Sequence, residues 1–219
     1  MELSGWAGRF LKICDVISRL AYLNLIWILF TVVGLGIFGL MPATVALFSV
    51  VRKWVMGQPE IPIFKTFGKI YRKEFFKSNL LGLILIIIGY ILYFDFVVLP
   101  TGGVFTALRT VLMVVGLLYA IILLYIFPFY VHYEWKLRFY LQYALLLGAS
   151  HPHYTVFMGA GLWTVYYVNM SIPGFIPFFS VSVMAYIVMR TTYRIIRRME
   201  ASQINREEAA TSAQVPDSK

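Results

Sequence analysis

One cysteine, Cys14, stands in 219 residues, so the chain cannot close a disulfide within itself and offers no thiolate cluster to a metal. Charge is scarce as well: Asp, Glu, Lys and Arg together make 13% of the residues, against 60% apolar. Soluble domains carry about a quarter charged residues, so an ordinary soluble fold is excluded. No stretch reads as a P-loop, a GxSxG elbow, an HExxH zinc motif or a kinase signature. The serines have no His and Asp at a recognisable spacing, and neither enzymatic activity nor a cofactor is expected. His151 and His153 flank Pro152 with no cysteine or carboxylate close by in sequence. They read as an interfacial loop, and no metal is expected there.

What the chain has instead is a series of apolar runs, several of 17 or more residues, and a mean hydropathy of +0.78. Each run meets the length test for a membrane-spanning helix. The fold class is therefore all-α, a polytopic transmembrane helical bundle. The formal charge of +9 would point to nucleic acid in a soluble protein. Here the basic residues lie between apolar runs, so they orient the chain and face anionic lipid headgroups; nucleic acid is not an expected partner. The first apolar run begins late, is long and has no small-x-small cleavage site, so it reads as a retained span rather than a signal peptide.

The stretch from Leu20 to Val51 holds thirty-two residues without a charge. As one straight helix it would be roughly 48 Å long, against a bilayer core of about 30 Å. It is too long for one crossing and short for two. Gly34, Gly36, Gly39 and Pro42 lie at and beyond its middle, which predicts a tight hairpin turning near Gly39–Pro42, with Pro42 in the first turn of the second arm.

Before that hairpin, Leu3, Trp6, Phe10, Ile13 and Ile17 fall on one helical face, and Arg9, Lys12, Asp15 and Arg19 on or beside the other. This predicts an amphipathic helix in the headgroup zone, with Asp15 and Arg19 spaced to pair. A second interfacial helix is expected in the basic connection after residue 57. There Lys65, Lys69, Arg72, Lys73 and Lys77 surround Phe64, Phe67, Tyr71 and Phe75. Six spans are expected at about 20–38, 41–56, 80–99, 104–127, 154–170 and 175–189, all within one domain over residues 1–199. Pro128 should break or kink its helix, and an aromatic interfacial segment should follow at 129–150. Residues 200–219 are polar without periodicity and read as a disordered cytoplasmic tail.

Lys and Arg counts set the expected orientation. With six spans, eighteen of the nineteen lie on the side of both termini and only Arg109 lies on the other. A five-span alternative, with Leu20–Leu40 as a single crossing, divides them fifteen to four. The positive-inside rule favours six, with both termini cytoplasmic in a bacterial cell membrane. Arg52, Lys53, Lys65, Lys69, Arg72, Lys73, Lys77, Arg194, Arg197 and Arg198 are then the headgroup-facing cations.

Charges within the spans are few. Besides Arg52 and Lys53 at the end of the second span, Asp95 lies shortly before the end of the third and Arg109 shortly after the start of the fourth. Neighbouring antiparallel helices would hold them at similar depth, and an unpaired charge there costs a few kcal/mol, about 3 at the centre and less near an edge. They are expected to form an intramembrane ion pair, as a clamp or as part of an ion or substrate site. Asn24 and Asn169 are amides within spans, of the kind that hydrogen-bond a neighbouring helix.

Leu23-Asn24-Leu-Ile-Trp27, then Gly39-Leu-Met-Pro42-Ala43-Thr44-Val-Ala46-Leu47, then Arg52-Lys53-Trp54 resembles the YesL family of small bacterial multi-pass membrane proteins, grouped under a domain of unknown function. The motif residues are Asn24, Trp27, Gly39, Pro42, Ala43, Thr44 and Ala46. Met41 stands where the family usually has glycine. Phe64-Lys65, Phe75-Phe76-Lys77 and Phe127-Pro128 extend the resemblance over most of residues 15 to 190. The resemblance brings no catalytic residues. It implies an ancillary role in carbohydrate uptake, with subunits of a sugar ABC importer as partners. The alternative is a small transporter or channel in its own right, with a polar path near Asp95, Arg109 and Asn169.

Overall fold

Leu35 and Gly36 adopt left-handed backbone angles, φ 61° and 73°, and at this point the N-terminal third of the chain reverses. The computed structural model describes residues 6–100, 102–133 and 137–214. Helix α1 runs Trp6–Val33 and α2 runs Ile37–Val55. The hairpin is present, but its turn comes about five residues before the expected Gly39–Pro42. Gly36 supplies the positive φ that closes it. Gly39 serves a different end: a Cβ there would run into the carbonyls of Thr31 and Phe30 on α1, so its hydrogen lets the two arms touch. Pro42 consequently sits inside α2 instead of in its first turn.

The expected N-terminal interfacial helix is not a separate element. It is the first part of α1, and Asp15 and Arg19 pair on it at 2.8 Å. Arg19 also donates to the Pro59 carbonyl and so ties α1 to the loop after α2. Helix α3 runs unbroken over Ile63–Val98, joining the basic interfacial segment to the third span. At about 1.5 Å per residue it is some 54 Å long, well beyond a hydrocarbon thickness of about 30 Å, so it must tilt or extend past the apolar layer.

Gly102 and Gly103 turn the chain into α4, Val104–His132. Pro128 was expected to break or kink this helix; the helix continues through it, so there is no break. Helix α5 is Leu137–Ser150 and α6 is Pro152–Ser171; a 3₁₀ turn at Pro173–Phe175 then leads into α7, Ile176–Gln214. The tail expected to be disordered is helical as far as Gln214. Glu200, Ala201, Gln203, Arg206, Glu207, Glu208, Ala209 and Ala210 are strong helix formers. Extending an existing helix also avoids the cost of nucleation. Leu3, Thr101, Glu134, Trp135, Lys136 and residues 215–219, on which parts of those expectations fall, lie outside the described residues.

Among the described residues, five helices are long and apolar enough to cross a membrane: Ile13–Val33, Ile37–Val55, Ile63–Val98, Phe105–His132 and Pro173–Ala201. They are not the five of the alternative reading, because Leu20–Leu40 is not one crossing. Helix α6 matches the expected fifth span in position and, at 20 residues, in length. It is less apolar, because its Tyr, Trp, His and Asn residues lower its hydropathy. It packs antiparallel on α7, with Met158 against Thr192 and Gly161 against Ile187. The molecule is thus a helical multi-pass membrane protein, with no strand among the described residues.

Helix α2 lies at its centre, in contact with α1, α3, α4 and α7. Ala43, Val45, Ala46, Leu47, Val50 and Val51 are fully buried on it, and Leu23, Phe67, Leu81, Tyr125 and Ile126 close around them.

Candidate functional site

The first part of α3 repeats every turn on one face: Lys73, Lys77 and Leu80 stand at i, i+4 and i+7. Opposite, α2 presents Val45, Ser49, Arg52 and Lys53. The two helices run antiparallel, and on both the wall passes from apolar to cationic toward the same end of the bundle. The last turn of α4 adds Tyr130, Val131 and His132, followed by Tyr133, and α5 adds Tyr140. Together they line an open cavity of about 960 Å³.

Among the described residues, four cationic side chains line this cavity with one carboxylate, that of Glu74. Glu74 Oε2 accepts a hydrogen bond from the Tyr130 hydroxyl at 2.9 Å, and Oε1 lies 3.8 Å from Lys73 Nζ. That carboxylate is therefore held into the wall. Tyr140 donates to the Tyr133 carbonyl at 2.7 Å, which ties α5 to the end of α4. Burial, and then the Glu200 carboxylate of α7, push the Tyr133 phenol above its ordinary range. Arg52 Nε and His132 Nδ1 are buried and have no hydrogen-bond partner among the described residues. Unpaired buried polar atoms are costly, and here both line one cavity. The walls can thus attract an anion and offer it donors.

The cations expected to face headgroups separate into groups. Arg52, Lys53, Lys73 and Lys77 come together in the cavity. Lys65, Lys69 and Arg72 are exposed on α3 outside the cavity lining, Lys69 and Lys65 one and two turns before Lys73 on the same stripe, and Arg194 is exposed on α7. Arg197 lies over the Tyr193 ring, while Arg198 donates to the Tyr154 hydroxyl at 2.6 Å.

The expected ion pair is not formed. Among the described residues Asp95 and Arg109 make no salt bridge; the Arg109 guanidinium lies 4.4 Å from the centre of the Phe96 ring. Successive helical residues point about 100° apart, so the face of α3 that meets Arg109 carries Phe96, and Asp95 is turned to the exposed side.

The motif residues of the N-terminal hairpin hold helices together. Trp27 Nε1 donates to Thr44 Oγ1 at 3.2 Å, joining the two arms, while Thr44 itself donates to the Leu40 carbonyl. Ala43 and Ala46 are fully buried in the seam around them. Asn24 is fully buried and binds the start of α7. Its Nδ2 donates to the carbonyls of Ile176 and Pro177 at 3.3 and 2.8 Å. Its Oδ1 accepts from the N–H groups of Val181 and Ser182 at 3.1 and 3.0 Å. Asn169 is buried on α6.

Glu74 and Tyr130 were not singled out by sequence, and neither was Asn79; His132 and Tyr140 were expected only as part of the aromatic interfacial segment at 129–150. Pro42 was the available signal for Asn79, since a proline inside a helix frees a carbonyl that some donor must satisfy.

Residues 20–96 match the family model described as a protein of unknown function, DUF624. The chain is similar to three uncharacterized proteins of Bacillus subtilis (strain 168). It is 44% identical to YteU, covering 91% of this chain and 90% of that protein. With YesV the identity is 39%, over 86% of this chain and 91% of that one. With YesL it is 35%, over 90% and 93%. No solved structure matches.

Proposed function

The chain belongs to the YesL-like family of unknown function, and from that premise we propose that it is a non-enzymatic helper of carbohydrate uptake. In this reading it sits in the bacterial cell membrane with both termini cytoplasmic and docks against the membrane subunits of an ABC-type sugar importer. The resemblance in its motifs implies the link to sugar uptake. The observation that carries the docking is the outer half of the α3–α4 pair.

There the two helices hold one another: the Tyr119 hydroxyl donates to the Leu85 carbonyl at 2.6 Å and packs on Gly89. Their remaining surface is exposed and apolar, with Leu83, Ile87, Tyr90, Phe94 and Val97 on α3 and Leu108, Val111 and Leu117 on α4. Asp95 lies exposed on that surface. A carboxylate near the edge of the apolar layer is costly unless it reaches water or a cation, and a basic residue on a partner helix would supply one. A carrier reading draws support from the cationic cavity, but a carrier also needs a polar route onward across the apolar layer.

Recovery from native membranes decides between them. The tagged full chain, at natural expression, should bring down importer membrane subunits, and Asp95→Leu should weaken that recovery. A chain recovered alone, which moves labelled sugar into liposomes, would replace the helper with a carrier.

A further inference from the structure

Lys73 and Lys77 stand two turns and one turn before Leu80, where the apolar part of α3 begins. Across the cavity Lys53 and Arg52 stand beyond Ser49 and Val45 in the same order. A ligand in this cavity meets positive charge at one end and apolar side chains at the other. The volume, about 960 Å³, is far more than an inorganic anion fills and lies near the top of the roughly 300–1,000 Å³ range of sites for organic ligands. Lys73, Lys77 and Leu80 are all exposed, so the cavity can be entered from the side of α3.

We propose that this cavity binds an anionic phospholipid, with its phosphate among Arg52, Lys53, Lys73 and Lys77. The glycerol end and first acyl carbons would lie against Val45, Leu80 and Leu81. Arg52 supplies a planar donor set suited to phosphate oxygens, and its buried Nε gains the partner it otherwise lacks. The lysines act as point charges at the mouth. A free phosphate would use the cationic end and leave the apolar wall idle, and for that reason a lipid is the better occupant. None of this depends on docking to an importer: the site would bind lipid in the isolated protein.

The test uses the full chain reconstituted in phosphatidylcholine bilayers with or without phosphatidylglycerol, and reads the lipid kept on gentle extraction by native mass spectrometry. Wild type should keep phosphatidylglycerol in preference to phosphatidylcholine. Lys73→Ala with Lys77→Ala, both at exposed positions and so compatible with folding, should reduce that preference by about tenfold or more. Lys65→Ala with Lys69→Ala removes the same charge from another part of α3 and should change it less than about twofold. Equal loss in the two double variants would reduce the effect to diffuse surface charge and overturn the proposal. So would wild type that keeps no lipid but binds inorganic phosphate, the sign of a soluble-anion site.

Discussion

Asn79 on α3 supplies the hydrogen bond that Pro42 on α2 withholds. In a regular helix the N–H at position 42 would bond the Phe38 carbonyl, and proline has none. Asn79 Nδ2 donates to that carbonyl at 2.9 Å, and also to its own Phe75 carbonyl at 2.9 Å. A defect within one helix is thereby turned into a tie between two. Asn79→Ala should lower stability by about 1 kcal/mol, within the range for hydrogen bonds between helices in membranes. In a Pro42→Ala background, where the ladder is restored, the same change should cost much less. Thermal unfolding of the four proteins in detergent gives the coupling, and equal cost in both backgrounds would contradict it.

Asn24 makes the larger contribution to helix contacts. Its amide stands between the Pro177 carbonyl and the Val181 N–H, which would bond one another in a regular helix. Replacement by Leu keeps roughly the volume and removes all four hydrogen bonds. A loss of about 2 kcal/mol or more is expected. Hydrogen exchange should speed up at Val181 and Ser182 before it does elsewhere on α7. Unchanged exchange at these two amides would show that Asn24 is dispensable there.

Arg109 should be coupled to Phe96 and not to Asp95. A double-mutant cycle of Arg109→Gln with Phe96→Leu is expected to give about 0.5–1 kcal/mol. The cycle of Arg109→Gln with Asp95→Asn should be additive within about 0.5 kcal/mol. A larger coupling in the second cycle would restore the ion pair.

Two glycine substitutions should part company. At Gly39 a Cβ meets the Thr31 carbonyl, a backbone atom that cannot swing aside, so Gly39→Ala should sharply reduce folded protein. At Gly116 nothing lies within 4 Å. Gly116→Ala should leave stability unchanged or raise it by up to about 1 kcal/mol through helix propensity. Size-exclusion profiles and melting temperatures of the two variants suffice, and similar behaviour would refute the close contact at Gly39.

The helices, their order and the hairpin were legible in the sequence, since run length and glycine placement report directly on both. Their boundaries were less so. Pro42 and Pro128 look like places where a helix starts or stops, yet both lie inside helices. A donor on a neighbouring helix can satisfy the carbonyl that a proline frees, as Asn79 does for Phe38, and no local pattern shows where that donor is.

The sequence by itself determined that this chain lives in a membrane and which end of it is basic, because the bilayer imposes a length and a polarity that can be counted along one dimension. Only the tertiary structure decided which charges meet. Helical neighbours diverge by about 100°, so Asp95 and Phe96 face different surroundings, and only the packing of α4 selects Phe96 for Arg109. Of the five cations spread along the first part of α3, Lys73 and Lys77 line the cavity with Arg52 and Lys53. Arg72 is turned about 100° away from Lys73, and Lys69 and Lys65, on the same stripe as Lys73, lie one and two turns too early along the helix, which only the packing of α2 against α3 decides.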